Sequence, residues 1–521
     1  MKKIFKLLTF LLAISLILVI QSCNEDEPVV DGPTIAAPAI TNVQVGSAAD
    51  VTFVVTVPGG FKSVTATATS GTQAVKSAPE VGASTGNVVI TFTAGTTAGA
   101  GSVTILVTDN NDKTETETGT MNITALPVEP EPEVVVVSGV LSASATWTAD
   151  TIYELAGRVI VDDGATLTIN PGTVIKGREG QGINASVLMI ARGGKINAIG
   201  TATEPIIMTT VLDDIMPGEI SGTTLGEDDR GKWGGLVILG KAPISVAGAT
   251  EAQIEGVPAS VTEGLYGGAD PADNSGTIKY VSIRHGGTVI AEGSEINGLT
   301  LGGVGSGTVI SDIEIFANVD DGVELFGGSV SITNILIAYQ GDDGIDIDQA
   351  YSGTVDGFLV VHGGDTDEGL EIDGPEGTEN ATGKFTLKNG TLKGDATKPN
   401  DVASLSDFKS KAQGNLENVI FTGYPAGKKI KIAASYATAC APGSSNAFSN
   451  LIAGSLVFIT TQFTGYTVDV YSASTSNCAE VDVPAADQTA AEGKIVSATA
   501  TGSPAITTWS WTISSEKSLL D

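Results

Sequence analysis

An acidic pattern occurs three times in the middle of the chain. Residues 320–325 (Asp-Asp-Gly-Val-Glu-Leu) return 22 residues later as 342–347 (Asp-Asp-Gly-Ile-Asp-Ile), and again 25 residues further on as 367–372 (Asp-Glu-Gly-Leu-Glu-Ile). Carboxylates are the hard oxygen ligands of Ca²⁺ and Mg²⁺, and paired carboxylates also serve as general acid and base. Acidic residues before glycine are in addition ordinary turn formers. The pattern therefore admits a metal site, a catalytic cluster or plain turn chemistry.

The spacing of apolar runs indicates which elements hold these carboxylates. From about residue 134 onward, short β-branched runs separated by glycine recur at about 20 to 25 residues. This period is typical of a solenoid in which every coil adds one strand to each parallel sheet. Residues 307–328 align with 329–350 so that the first two acidic patterns coincide. The chain is therefore predicted to be all-β, with a right-handed parallel β-helix over residues 134–521.

Placed on such coils, the acidic pattern predicts a cation site. Matching positions of successive coils stack about 4.8 Å apart, so Glu324, Asp346 and Glu371 are expected in one outward column that faces solvent. The 99 residues from 285 to 383 contain 19 acidic residues and no Lys or Arg. Two unit charges 4.8 Å apart repel by roughly 1 kcal/mol in water and about 3.5 kcal/mol at an effective dielectric of 20. We therefore expect Ca²⁺ near six carboxylates: Asp321, Glu324, Asp343, Asp346, Glu368 and Glu371.

The turn interpretation stays open beside the metal interpretation. The paired acids at 320/321, 342/343 and 367/368 fall at the bend before each strand, where their side chains are able to accept hydrogen bonds from backbone N–H groups. This chemistry explains the outward column less well, because Thr or Asn would serve there equally.

The N-terminus indicates export. Three lysines among the first six residues precede an apolar run at 7–20, which is too short to span a bilayer. Residues 1–22 are predicted to be a signal peptide that resembles those of bacterial lipoproteins, with Cys23 as the lipidated first mature residue. The Asn-Glu-Asp-Glu that follows Cys23 in the acidic tether 23–33 resembles the surface-export signal of Bacteroidetes lipoproteins. This resemblance implies anchoring to the outer membrane with the protein facing outward.

Two further domain features follow from composition. Residues 34–126 alternate apolar and polar side chains between Gly, Ser and Asn turns, which predicts an immunoglobulin-like β-sandwich. Residues 127–133 (Pro-Val-Glu-Pro-Glu-Pro-Glu) predict a semi-rigid linker. Cys440 and Cys478 are candidates for a disulfide in an oxidising compartment, although two buried free thiols would look identical in sequence.

Several segments of the solenoid resemble β-helix surface lipoproteins of Bacteroidetes. They are Gly164–Gly177 (Gly-Ala-Thr-Leu-Thr-Ile-Asn-Pro-Gly-Thr-Val-Ile-Lys-Gly), Gly231–Gly240 with its Lys-Trp-Gly-Gly, and Glu295–Leu301. The resemblance covers most of residues 138–515 and implies a pectin-lyase-like fold and a cell-surface address, but no settled activity. The segment 509–513, which contains Trp509 and Trp511, is expected to form a terminal strand or cap over the last coil.

A second resemblance supplies a catalytic alternative. Pectin-degrading glycoside hydrolases place an Asn-x-Asp-Gly strand one coil before a Gly-Asp-Asp strand, and Asp321, Asp342 and Asp343 fall on those positions. The Gly-His-Gly of these enzymes has only an approximate echo at 362–364, and their Arg-x-Lys pair is absent. A lyase would need a basic residue, for which Arg284 is the local candidate. An anionic uronate would be repelled by this face, so catalysis is not the favoured interpretation.

Net charge limits the partners. The chain carries a formal charge of −33 and 5% aromatic residues, and phosphate backbones repel such a surface, so nucleic acid is excluded as a partner. The sequence predicts a surface protein that binds a glycan or another surface ligand and is stabilised by Ca²⁺. A polysaccharide-processing enzyme and a purely structural adhesion protein are the alternatives.

Overall fold

The computed structural model describes residues 30–126, 131–288, 296–364, 366–397, 404–435, 446–472, 483–503 and 505–520. The chain divides into two compact units, Met1–Pro130 and Glu131–Asp521. The predicted signal peptide, Cys23, Cys440 and Cys478 lie outside the described residues. Among the helices in the described ranges, none is long and apolar enough to cross a membrane.

The first unit is a β-sandwich. Its strands are β1 (Thr34–Ala36), β2 (Thr41–Gln44), β3 (Ala48–Thr56), β4 (Phe61–Thr69), β5 (Gly71–Ser77), β6 (Thr85–Ala94), β7 (Gly99–Asp109) and β8 (Thr114–Thr124). They form two four-stranded sheets, in the orders β1-β3-β6-β5 and β2-β8-β7-β4. Val51, Phe53 and Val55 of β3 are buried while the residues between them are exposed, because side chains alternate across a strand. The two sheets confirm the predicted β-sandwich.

The second unit is a solenoid. Its first strands are β9 (Glu133–Leu141), β10 (Ala145–Trp147), β11 (Thr151–Val161), β12 (Thr166–Ile169), β13 (Val174–Gly177), β14 (Val187–Ile190), β15 (Lys195–Ile199), β16 (Ile206–Thr210), β17 (Leu236–Leu239), β18 (Ala252–Gln253), β19 (Leu265–Tyr266) and β20 (Gly276–Arg284). Strand β9 begins at the last residue of the predicted linker.

The later coils contain the remaining strands of the solenoid. They comprise β21 (Leu299–Gly302), β22 (Val309–Phe316), β23 (Val323–Phe326), β24 (Ser331–Ala338), β25 (Ile345–Asp348), β26 (Thr354–Val361), β27 (Leu370–Ile372), β28 (Phe385–Lys393), β29 (Ser406–Phe408), β30 (Gly414–Thr422), β31 (Lys429–Ala434), β32 (Leu456–Ile459) and β33 (Thr467–Ser472). All strands of the unit except β18 and β19 join a parallel array of 23 strands, which confirms the predicted β-helix.

Each coil contributes to three parallel sheets. The first halves of β20, β22 and β24 pair in the first sheet, and their second halves pair in the second sheet in the same register, on the other side of one unpaired residue. Strands β21, β23, β25 and β27 pair in the third sheet, which carries the acidic pattern. Inward side chains of all three sheets form one continuous apolar core.

A single left-handed residue makes the bend between the first and second sheets. Asp312, Asn334, Asn389 and Asn418 occupy this position in their coils with φ between 54° and 57°. Asn and Asp tolerate this conformation better than other non-glycine residues. The amide of Asn418 donates to the Asn389 side-chain oxygen at 2.8 Å, so the bend is also held by a side-chain ladder.

The C-terminal segment departs from the sequence prediction. Helix α1 (Ala447–Ala453) precedes β32, and α2 (Ala485–Lys494) covers the last strand, where Gln488 bonds to the backbone of Val468 and Val470 at 2.9 Å. The chain then runs back along the coils and ends with α3 (Ile513–Glu516). The segment 509–513 lies on the outer face of the second sheet, so the predicted terminal strand or cap over the last coil was wrong.

A buried carboxylate fastens this returning segment. Glu314 accepts hydrogen bonds from the Ser514 N–H at 2.9 Å, the Ser514 hydroxyl at 2.7 Å and the Ile513 N–H at 3.1 Å. Its charge faces Arg284 at 3.8 Å, and neither side chain is exposed. Ring contact of Trp511 with Tyr280, at 5.4 Å between centroids, covers the same place. We call these contacts the clasp. They were not predictable from the sequence, because Glu314 and Ser514 are 200 residues apart in the chain.

Removal of the clasp should destabilise the second unit. We expect Glu314→Ala to lower stability by about 3–5 kcal/mol, because the Arg284 charge is left buried and unpaired. Urea unfolding measures the loss, and limited proteolysis should detect release of residues 505–520. Glu417→Ala, at a half-buried site of the first sheet, is the control. Equal urea midpoints for the Glu314 variant and the parent would contradict the clasp.

Candidate metal centre

The third sheet brings the predicted carboxylates together. Glu324, Asp346 and Glu371 are direct partners in the parallel register of β23, β25 and β27. Parallel pairing without an intervening insertion stacks these side chains in neighbouring coils. The predicted column therefore exists, and it continues through Asp407 and Lys431 of the next two coils.

The six predicted ligands separate into two triads. In the first acidic triad, Asp321, Glu324 and Asp346 each bring one carboxylate oxygen within 4.8 Å of the others. In the second acidic triad, Asp343, Glu368 and Glu371 do the same. Oxygens at this separation are close enough to share one bound cation.

Two carboxylates of the outward column do not face solvent, which corrects the sequence prediction for them. Glu324 is 6% exposed and Asp346 is 9% exposed. A covering segment, defined here as residues 241–268, folds over this part of the third sheet. Its Ile254, Val257 and Tyr266 pack with Phe326 of β23 in one apolar cluster. The carboxylates are therefore outside the solenoid core and yet inside the protein.

Polar contacts fix the covering segment to the acidic coils. The Tyr266 hydroxyl donates to the side chain of Gln349 at 3.1 Å. The Ser245 N–H donates to the Gln349 carbonyl at 3.1 Å, and the Ser245 carbonyl accepts from the N–H groups of Glu376 and Gly377. The contacts involve the coils that carry the triads, so the cover is anchored at the site itself.

The turn acids form a ladder along the solenoid axis. The Asp343 N–H donates to the Asp321 carboxylate at 2.9 Å, and the Glu368 N–H donates to the Asp343 carboxylate at 2.6 Å. Glu368 in turn accepts from the Ser404 hydroxyl at 2.8 Å. The turn interpretation is thus partly right, although the bonded N–H groups belong to the next coil rather than to the residue's own bend.

Burial and mutual repulsion perturb the first triad. Burial, and then the neighbouring Asp343 carboxylate, raises the pKa of Asp321 well above its usual range. Burial combined with Glu255 has the same effect on the pKa of Glu324, and burial combined with Asp348 on that of Asp346. A carboxyl in this position either keeps its proton or requires a cation beside it.

One buried oxygen of the first triad has no hydrogen-bond partner. Asp346 Oδ1 is fully enclosed and unbonded, whereas Glu324 accepts from the amide of Asn297 at 2.5 Å. A buried charged oxygen without a partner is costly, and a hard cation would satisfy it. No Lys or Arg of the described ranges lies within 4 Å of a carboxylate of this triad.

The second triad differs, which corrects the expectation that nothing local neutralises the acids. Lys409 pairs with Glu371, and Lys431 lies 3.2 Å from Glu368. Burial nevertheless raises the pKa of Glu368 to about 7. The lysines come from the two following coils, so their absence from the sequence between 285 and 383 did not reveal them.

Sequence reasoning missed several participants besides these lysines. Asn297 occupies the turn one coil before Asp321, and the Asn-Gly-Leu that begins there, which aligns with residues 321–323, is the signal that was available. Asp348 is the partner of Phe326 in the next outward column. Burial, together with the neighbouring Asp373 carboxylate, raises the pKa of Asp348 to about 8. Glu255 had no signal, because only folding of the covering segment brings it near.

The structure places the candidate catalytic residues close to one another but buries two of them. Asp320, Asp321 and Asp342 bring carboxylate oxygens within 4.8 Å of one another. Asp321 and Asp343, however, are only 6% and 4% exposed. Each carboxylate already accepts a hydrogen bond from a backbone N–H group of the next coil. Two of the three candidate catalytic residues are therefore not presented to a substrate. Arg284 is fully buried by its clasp and His285 is buried beside it.

Comparison with known families fits the architecture. A family model described as "Pectate-lyase like beta helix domain" matches residues 139–513. The chain belongs to this family. No curated protein sequence matches this chain. Among solved structures it is similar to the Yersinia enterocolitica family 28 exopolygalacturonase, with 11% identity and a TM-score of 0.23 over 86% of this chain and 88% of that one.

The raised carboxyl pKa values of the pectate-lyase-like domain predict a pH dependence. Asp348 has an ordinary pKa of 3.8 and a folded value of about 8. Between these values the folded protein holds a proton that the unfolded chain releases, so rising pH favours unfolding. In EDTA, the melting temperature should fall between about pH 4 and pH 8, and Asp348→Asn should reduce the slope.

Asp469→Asn is the matched control, because Asp469 lies on the third sheet in the outward column of Asp346, next to that of Asp348, and pairs with Lys429 at 3.1 Å. Its melting profile should keep the slope of the parent. A melting temperature that rises over this pH range in EDTA would show that the buried carboxyls are ionised and compensated in the metal-free protein.

Proposed function

We propose that this protein is a surface lipoprotein whose β-helix binds a glycan or another surface ligand and is stabilised by Ca²⁺ in the first acidic triad. The observation that carries the cation proposal is the enclosed, unbonded Asp346 oxygen among carboxylates that no basic residue of the described ranges approaches. The remaining paragraphs give the support for each part.

The donor set favours calcium among the common cations. Asp321, Glu324 and Asp346 offer up to six carboxylate oxygens, and the Asn297 amide lies beside them. Oxygen-only sites without imidazole or thiolate suit Ca²⁺ or Mg²⁺ rather than zinc. Ca²⁺ accepts irregular geometry with six to eight oxygens, whereas Mg²⁺ demands a near-ideal octahedron. Calcium bound here would hold coils β23 and β25 together and supply the positive charge that the triad lacks.

The second triad is a weaker cation site. Lys409 and Lys431 already bring two positive charges to Glu371 and Glu368. A divalent ion there would have to displace or approach two ammonium groups, and the repulsion would oppose binding. We therefore assign Asp343, Glu368 and Glu371 to a lysine-neutralised cluster that takes Ca²⁺ less readily than the first triad does.

Membrane attachment and the ligand rest on other grounds. Cys23 after an apolar run supports lipidation, and the acidic tether behind it supports export to the outer face of an outer membrane in a Bacteroidetes cell. Membership of a pectate-lyase-like family supports a polysaccharide as the ligand class. Purely structural adhesion remains the competing role, in which no glycan binds.

Calcium should raise the stability of the protein through the first triad. We expect added Ca²⁺ to increase the free energy of unfolding by about 2.7 kcal/mol when its concentration is 100 times the dissociation constant. The double variant Glu324→Gln, Asp346→Asn should lose this response and be more stable than the parent in EDTA, since two buried carboxyls with raised pKa values are replaced by neutral amides. Thermal melting with and without EDTA measures both effects.

Asp469→Asn again serves as the control and should respond to Ca²⁺ like the parent. The cation proposal fails if the melting temperature of the parent is the same in EDTA and in Ca²⁺. It also fails if the double variant keeps the full calcium response, because the ion would then bind elsewhere.

The hydrolase alternative has its own test. Incubation with polygalacturonate should yield neither new reducing ends nor unsaturated products, because Asp321 and Asp343 are covered. Asp343→Ala should leave glycan binding intact. Product formation that disappears in the Asp343→Ala protein would establish catalysis and overturn this expectation.

A further inference from the structure

A polar groove lies at the corner of the solenoid where three coils leave the third sheet. Two adjoining cavities of about 600 and 200 Å³ share Asp163 and Arg192 in their walls. The larger volume falls in the range typical of small-molecule and sugar sites, about 300–1,000 Å³. The charged side chains of the groove are Asp162, Asp163, Arg192, Lys241, Glu251, Glu263 and Asp270.

The coil register places these side chains in a row. Val161 pairs with Ile190, and Ile190 pairs with Ile238 in the next coil. Asp163, Arg192 and Lys241 follow these three positions by two or three residues. Successive coils are about 4.8 Å apart, which is comparable with the repeat of an extended β-linked glycan. The groove therefore presents a charged or hydrogen-bonding group to each successive sugar of a chain lying along the solenoid axis.

Backbone contacts make the groove walls rigid. The Gly267 N–H donates to the Gly240 carbonyl at 3.0 Å, and the Asp270 N–H donates to the Lys241 carbonyl at 2.9 Å. Arg192 crosses the groove and donates to the Glu251 carboxylate at 2.7 Å and to the Gly267 carbonyl at 2.9 Å. A preformed wall of this kind lowers the entropic cost of ligand binding.

A glycine lies beside two of the charged groups of the groove. Gly193 has φ +86°, and a Cβ there would lie 1.8 Å from the Asp163 carboxylate and 2.7 Å from the Lys241 ammonium. The left-handed φ favours glycine at this position, and the two charged groups beside it stand 3.7 Å apart. The position thus brings a donor and an acceptor to one place on the surface.

We propose that this groove is the glycan-binding site and that it takes neutral rather than uronate-containing chains; the assignment rests on the proposed function above. Vicinal hydroxyls of a sugar both donate and accept, and the groove offers carboxylate acceptors beside Arg and Lys donors. Five carboxylates outnumber two cations along it, so a uronate chain would be repelled. No aromatic side chain of the described ranges lines the groove, so hydrogen bonds over several sugars supply the affinity.

The test uses defined hexasaccharides and the full-length mature protein. Calorimetric titration is carried out with cellohexaose, xylohexaose, mannohexaose and laminarihexaose, and with the galacturonic acid hexamer as the anionic counterpart. At least one neutral hexamer should bind more tightly than the acidic one. The double variant Lys241→Ala, Asp270→Ala should weaken that binding at least tenfold, which corresponds to about 1.4 kcal/mol.

Lys279→Ala is the matched control, because Lys279 is 43% exposed on the first sheet and Lys241 is 44% exposed in the groove. This variant should bind the hexamer like the parent. Both variants should keep the calcium-dependent melting shift of the parent, which shows that the fold and the first acidic triad are intact.

The outcomes separate the groove from the wider function. Neutral-hexamer binding that is unaffected by the groove variant overturns the groove but leaves glycan binding in place. Tighter binding of the galacturonic acid hexamer, lost in the groove variant, overturns the neutral class. Absence of binding by every neutral hexamer overturns the groove proposal, and if Ca²⁺ also fails to shift the melting temperature, the proposed function fails with it.

Discussion

Coil-on-coil stacking is the constraint on which the rest of the solenoid depends. Every residue of the third sheet is placed next to its counterpart in the neighbouring coils, about 4.8 Å away. For Val323, Ile345 and Leu370 the stacking is favourable, because these side chains bury one another in the core. For Glu324 and Asp346 the same geometry is unfavourable, because like charges become neighbours under a cover that excludes water. The core and the candidate metal centre are therefore two results of one repeat.

Different groups compensate the negative charge of the outward column at different coils. Toward the N-terminal coils, the Asn297 amide donates to Glu324. Toward the C-terminal coils, Lys409 and Lys431 pair with Glu371, Glu368 and Asp407. Only the middle, around Asp346, has neither an amide nor an ammonium group among the described residues. The need for an external cation is thus greatest at one coil, rather than spread over all three repeats.

The repeat made part of this arrangement predictable from the sequence. Val323 and Ile345 share a period and a strand-like alternation, so the β-helix, the column of Glu324, Asp346 and Glu371 and the grouping of six carboxylates follow from local pattern. The exposure of the column was not predictable in this way. It depends on residues 241–268, an insertion outside the period whose contacts with Gln349 and Glu376 exist only after folding. Lys409 and Lys431 were hidden for a related reason, since coils of unequal length displace them in sequence but not in space.

The covering segment joins the two sites that matter most. Tyr266 contacts the acidic coils through Gln349, while the adjacent Gly267 forms the groove wall through Gly240 and Arg192. A displacement of the antiparallel pair β18–β19 would move both residues, because Tyr266 is the last residue of β19 and Gly267 follows it. The first acidic triad and the groove are therefore built on one short segment of chain, in which two consecutive residues contact the two sites.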